Sequence, residues 1–408
     1  MKLNSLTLLS LVAGSLFATN AMAQEVVVDS SLLSRVSDLE NQVNYSKPGE
    51  DHLMIAGLAT FGFVANKTTN TYQGESSVSK TNSLADADNY EFSPMFLWRH
   101  GNKFLMEFEP SLNNDQVSVN WAEVSYFAAP GLILNAGYLV ITFGIYPKRL
   151  AAGWIDKLAT DPFGVAGSPP TTDYGIEAEG GWQAGTMKFS YDVSLTNGMQ
   201  LLPDGELQGA TITDNNNNKL LTGRLGWLPF SNSSLELGVS GLTGKVGDQG
   251  SALQNVTANM YAFDMDLVEN IQPFQLNIKG QYNIMNLSNA NYIDPNDPTG
   301  NTKYTFTNHS TTGFIQASLR PTLSNNNVVK NFEIAGRYGN YTTPANSMWG
   351  SKSNVLTCGL DYWITWRTVV KFTYEAIKST NTSAINLGGT PGAINQSNSM
   401  YLQTSIQL

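Results

Sequence analysis

The connection at residues 141–170 concentrates the most chemically capable side chains of this chain. Lys148, Arg149 and Lys157 can meet anions and Asp156 and Asp161 can meet cations, while Phe143, Tyr146, Trp154 and Phe163 provide apolar anchors. Both signs of charge beside aromatic rings, with less Asn and Ser than other long polar stretches, describe a segment that packs against something. Its chemistry is recognition by charge. No phosphate-cradling glycine loop, zinc-protease motif or nucleophile elbow occurs. The lone Cys358 forbids an intrachain disulfide framework and a four-Cys zinc site, and His52, His100 and His309 are too scattered for a local metal motif. We therefore expect no metal, no cofactor and no enzymatic activity.

Those residues need a scaffold, and the composition narrows it. Only 14% of residues are charged, against about 25% in soluble domains, with 41% hydrophobic and 11% aromatic. The net charge of −10 argues against a nucleic-acid partner, because neutralising phosphates takes clustered cations. After residue 23 no apolar run approaches the roughly 20 residues of a membrane-spanning helix. Apolar and polar residues instead alternate: Met187, Phe189, Tyr191, Val193 and Leu195 interleave with Lys188, Ser190, Asp192 and Ser194. Sixteen such runs, from 53–65 to 398–408, predict an all-β, antiparallel transmembrane β-barrel over 53–408, one face to lipid and the other to a wet lumen. Short turns alternate with long polar loops, among them 66–88, 141–170 and 288–302. Trp98, Trp182, Trp227, Trp363 and Trp366 fall beside the short turns, where a membrane barrel carries an interfacial aromatic girdle. A soluble sandwich would place its tryptophans in mid-strand.

Residues 1–23 read as a secretory signal peptide, with Lys2, an apolar core from Leu6 to Phe17, and Ala21 and Ala23 at the cleavage site. In the periplasmic segment 24–52, Leu32, Val36, Leu39 and Val43 follow the rhythm of a short coiled coil over 29–46. That helix either seals an oligomer or packs on the barrel rim. The stretch from Gln24 to His52 is too short for the plug domain of an energy-coupled receptor.

Asn331-Phe332-Glu333-Ile334-Ala335-Gly336-Arg337-Tyr338 and Val355-Leu356-Thr357-Cys358-Gly359-Leu360-Asp361-Tyr362-Trp363 extend this reading. With the signal peptide, the heptads, the sixteen runs, and Leu134-Asn135-Ala136-Gly137-Tyr138 before Thr142-Phe143-Gly144, the chain resembles the phosphate-selective porin O and P family of bacterial outer-membrane porins. The resemblance is greatest over the last 90 or so residues. It implies a homotrimeric, diffusion-driven channel in the outer membrane, in contact with lipid and small hydrophilic solutes.

A sixteen-stranded barrel is too wide to select small solutes unless something folds inward. We expect 141–170 to be that constriction loop, with Lys148, Arg149, Asp156, Lys157 and Asp161 at the eyelet. Strand parity puts the cations Arg99, Lys103, Lys188, Arg224, Lys279, Arg320, Arg337 and Lys371 on the lumen wall. The carboxylates Glu91, Glu107, Glu109, Glu123, Asp173, Glu177, Glu179, Asp192, Glu236, Asp264, Asp266, Glu333, Asp361 and Glu375 share it. The wall thus leans towards cations and the loop towards anions. On the weight of the eyelet, the expected solutes are small and neutral or anionic, phosphate- or carboxylate-bearing; a cation-leaning or non-selective pore is the alternative.

Overall fold

Backbone amides in lipid find no water, so strands there must pair on both edges and close on themselves. The computed structural model of this chain describes residues 51–84, 90–113, 116–166, 171–210, 214–294, 296–297, 299–385 and 388–408. The signal peptide at 1–23 and the coiled coil at 29–46, with Leu32, Val36, Leu39 and Val43, lie outside the described residues.

The chain begins with β1 (Asp51–Tyr72), β2 (Glu75–Leu84), β3 (Tyr90–His100), β4 (Phe104–Asn113), β5 (Gln116–Ala129) and β6 (Leu132–Val140). A short helix α1 (Tyr146–Arg149) precedes β7 (Thr172–Ala184), β8 (Met187–Thr196), β9 (Met199–Leu201), β10 (Leu207–Ala210), β11 (Leu220–Leu228) and β12 (Leu235–Lys245). There follow β13 (Thr257–Ile271), β14 (Phe274–Leu287), β15 (Tyr292–Ile293), β16 (Lys303–Tyr304) and β17 (His309–Arg320). The last strands are β18 (Phe332–Thr342), β19 (Ser351–Thr365), β20 (Thr368–Asn381) and β21 (Ile394–Gln407).

Strands β9 with β10 and β15 with β16 form two small sheets of their own; the remainder form one antiparallel sheet. β2 and β3 run in one direction along the same side of β1, opposite Phe63–Tyr72 and Asp51–Phe61 respectively. They make one interrupted wall strand, which brings the barrel to sixteen. The wall closes where β21 meets β1, from Leu58 opposite Gln407 to Thr71 opposite Ile394.

The period of two sorts the faces. Tyr261, Phe263, Leu356 and Phe372 are exposed, and Cys358 shares that outer face. Asp264, Lys371, Thr373 and Gln403, at the opposite parity, are buried inside the closed wall. This is the inversion of a soluble protein, with apolar groups outward and polar groups inward.

Trp98, Trp182, Trp227 and Trp366 are exposed beside the short turns, as an interfacial girdle requires. Trp363 departs from the girdle: it shares parity with Asp361, turns into the lumen and donates its indole N–H to Glu333 Oε2 at 2.8 Å. The segment 66–88 departs from the expected loop, because β1 runs on to Tyr72 and turns back as β2. Its Asn, Thr and Ser alternation carries no apolar face, and a hairpin needs none where it rises clear of lipid. The turn is Gln73-Gly74, both at positive φ, the conformation that tight hairpins demand. The alternating run at 303–320, one of the sixteen, also divides: 303–304 belongs to the small β15–β16 sheet and the wall strand starts at His309.

Candidate functional site

After β6 the chain turns into the barrel. Ile141 N–H donates to Thr171 O at 2.8 Å, so the excursion begins and ends at one point on the wall. Phe143 sinks into an apolar cluster with Met199, Leu201, Leu220, Leu242 and Met260. Gly144 N–H then donates to Ser240 Oγ on β12 at 3.0 Å, and the N–H groups of Ile145 and Tyr146 both donate to Gln281 Oε1 on β14, at 2.8 and 3.0 Å. Gly144 has φ +69°, a conformation that favours glycine, and a Cβ there would push the Gln281 amide off its clamp. α1 follows with Pro147 in its first turn, and Ile145, Tyr146, Leu150 and Val165 pack with Phe314.

The segment then crosses to the far wall. Lys371 on β20 donates from its ammonium to Gly153 O and to Leu158 O, the latter at 3.2 Å. Ala159 N–H donates to Thr373 Oγ1 at 3.1 Å and Thr160 Oγ1 to Glu375 Oε2 at 2.9 Å. Asp156 is buried, paired with Arg337 at 3.1 Å and accepting from Gln316 Nε2 at 3.0 Å. Phe163 rests edge-on against Tyr341, centroids 5.9 Å apart.

The loop cations are therefore engaged. Lys148 Nζ lies 2.8 Å from Glu177, 2.9 Å from Glu179 and 3.0 Å from Asp192. Burial alone would depress its ammonium, but Asp192, Glu179 and Glu177 hold it well above the usual lysine range. Arg149 pairs with Glu236, which Arg224 also reaches at 3.0 Å. Lys157 stands 3.9 Å from Glu333 with its ammonium 4.7 Å from the Trp363 ring centre. Asp161 keeps solvent contact on the loop. Crowding by the surrounding protein, and then the charge of Asp156, push its carboxyl up to about 6.

Among the wall cations, Arg224 meets Asp264 and Glu236, Lys279 meets Asp266, and Arg337 and Lys371 hold the loop. Lys188 donates to Ser233, and Arg320 lies 4.9 Å over the Trp363 ring, both towards the short-turn end. Arg99 stays at that rim, donating to Gly101 O at 3.1 Å. Lys103 does not join the wall: it occupies the turn before β4, its ammonium over the outward-facing Tyr126 ring.

The side of the lumen formed by β3–β5 differs. Glu91, Glu107, Glu109 and Glu123 face inward there, with Glu107 directly opposite Glu123. Asn120 donates to Glu109 at 2.8 Å and Ser111 to Glu91 at 3.2 Å. Among the described residues, none of these four carboxylates lies in an ion pair. Strand parity alone identified all four. It did not identify Gln281 as the clamp on the loop, although its inward parity with Lys279 and Asn283 was a usable signal.

A closed sixteen-stranded barrel with a long connection folded against its inner wall defines the porin class of fold. Solved structures share it, among them the following two. The outer membrane channel DcaP of Acinetobacter baumannii is similar over 89% of this chain and 99% of its own, with a TM-score of 0.54 and 11% identity. An anion-selective porin from Comamonas acidovorans is similar over 88% of this chain and 100% of its own, with a TM-score of 0.53 and 11% identity. No protein-family model matches the chain, and no curated protein sequence does. The resemblance to phosphate-selective porins thus rests on the sequence features alone: the segments at 134–138, 142–144, 331–338 and 355–363 and the overall pattern.

Proposed function

We propose that the protein is an outer-membrane porin that lets small hydrophilic solutes diffuse passively, with a lean towards cations and no catalytic step. The carrying observation is where charge is left over. Lys148, Arg149 and Lys157 spend their charge on carboxylates and anchor the loop, while Glu91, Glu107, Glu109 and Glu123 line β3–β5 without an ion pair among the described residues. Unpaired carboxylates along a water-filled passage raise the local concentration of cations. In this reading 141–170 is the constriction loop, and Asp156 and Asp161 belong to its body. The fold likeness to an anion-selective porin favours the other sign. A reversal potential measured across a planar bilayer in a salt gradient decides: cation preference supports the first reading, anion preference the second, and absence of conductance removes both.

The export signal and the homotrimer belong to the same proposal: the resemblance implies the trimer, and Leu32, Val36, Leu39 and Val43 are the residues that would seal it. Native mass analysis of a variant lacking 29–46 tests it; an unchanged oligomer would assign that segment another role.

A further inference from the structure

The outer mouth beside β1, β2 and β19–β21 contains a cavity of about 650 Å³, within the range of small-molecule sites. Two aromatic side chains, Tyr72 and Trp349, take part in its lining, and among the described residues Glu75 is the one charged side chain there. The rest is amide, hydroxyl, small or apolar. Asn70 and Asn395 face each other across the closing seam, the Asn395 amide donating to Asn70 Oδ1 at 2.6 Å. On the adjoining strands the hydroxyls of Ser353 and Ser379 are 2.7 Å apart. Each of these bonds uses part of what its groups can do: a hydroxyl has one donor and two acceptor sites, and a side-chain amide has four in all.

Trp349 is braced on one side. Its ring stands edge-on to Phe306 at 5.7 Å and 86°, and its backbone carbonyl accepts from Thr343 Oγ1 at 2.8 Å. A braced indole at the edge of a hydroxyl-and-amide surface sets a clear demand on a ligand. A charged solute would lose water and gain almost no counter-charge. An apolar one would leave the amides unpaired. A ring compound with hydroxyls around its edge and C–H groups on its faces meets both requirements, since its faces can lie on aromatic rings while its edge exchanges hydrogen bonds.

We propose that this outer vestibule is a binding site for a neutral saccharide, with Trp349 and Tyr72 as its apolar platforms and Asn70 and Asn395 among its hydrogen-bonding groups. The site lies at the mouth, away from the charged loop, and binding there does not depend on conduction.

Calorimetric titration of the purified protein, in an amine-oxide detergent that carries no sugar, tests it with glucose, maltose and raffinose. Saturable heat is expected with at least one of the three, and none with glycerol or inorganic phosphate. Trp349→Ala and Asn395→Ala, made separately, should each weaken the binding about tenfold, as the loss of a ring face or a directed hydrogen bond does. No saturable heat with any of the three sugars overturns the site, as does an affinity in both variants unchanged from that of the parent protein, or displacement of the sugar by phosphate. A heat-modifiable band on a denaturing gel shows that each variant has folded, and Asn395→Ala carries the test if Trp349→Ala has not. Conductance of the same preparation separates the two proposals: current without sugar heat removes the vestibule and leaves the channel, and sugar heat without current does the reverse.

Discussion

The lumen has two unlike sides. Along β7–β20 the wall is crowded with charge, yet nearly every cation there is matched: Lys148 by three carboxylates, Arg224 by two, Arg337 by Asp156 and Lys279 by Asp266. Along β3–β5 there are fewer charges, and among the described residues the four carboxylates there meet hydroxyls, an amide or each other and no cation. Ion preference follows unmatched charge, because a paired carboxylate presents mostly a dipole to a passing solute while an unpaired one presents a full charge. The crowded side is architecture and the sparse side is the electrostatic surface.

The most direct way to break this contrast is to dismantle the crowded side. Arg337→Ala leaves Asp156 buried without its partner, a change that costs about 3 to 5 kcal/mol. The loop should come loose, seen as a larger and noisier single-channel conductance and a lower temperature of heat modification. Unchanged conductance would deny Arg337 its anchoring role.

Next in size is neutralisation of the sparse side. Glu107→Gln with Glu123→Gln removes a facing pair of carboxyls whose mutual repulsion leaves them less than two full charges; a charge at close range in water is worth about 1 kcal/mol, roughly fivefold in local cation concentration. The reversal potential should move part of the way to zero with the conductance little changed, since Glu91 and Glu109 remain. A third substitution sharpens the contrast: Lys148→Met removes a cation, yet cation preference should rise, by about as much, because it frees Glu177, Glu179 and Asp192. If Lys148→Met and the Glu107/Glu123 pair shift the potential in the same direction, the division into matched and unmatched charge fails.

The smallest effect belongs to Asp161. With its carboxyl pushed up to about 6, it gains a proton as pH falls through that value, and the lumen loses one negative charge. Cation preference should therefore step down between pH 7 and pH 5, and Asp161→Asn should make the step smaller. A step of equal size in the variant assigns the titration to another group.

Much of this was legible in the residues. Period-two alternation placed sixteen wall strands to within a few positions wherever one face had to be apolar for lipid. It failed where that demand lapses, at the β1–β2 hairpin, whose Asn, Thr and Ser side chains meet water on both faces. Aromatic anchors marked 141–170 as a packed segment, and parity put Glu107 and Glu123 inward. Pairing was not legible: Lys148 meets Glu177 and Asp192 because the loop doubles back onto β7 and β8, and Asp156 meets Arg337 across the whole lumen. Such contacts depend on three-dimensional closure, and no local pattern encodes them. Trp363 shows the reverse case, where parity with Asp361 held the answer and proximity to a turn obscured it.

The seam between β1 and β21 joins the two ends of the barrel, and it has a consequence in time. Neighbouring strands can pair as hairpins soon after both are available, but the seam must wait for the last residues of the chain and for the closure of a very long loop of chain, which is entropically costly. Nearly all the seats of the loop, on β12, β14, β17, β18 and β20, are made from chain that follows it in sequence. Docking of the loop is accordingly a late event in assembly. A newly inserted barrel passes through a stage in which its walls are complete and its obstruction is not, and recordings that begin at insertion should find it briefly at its widest.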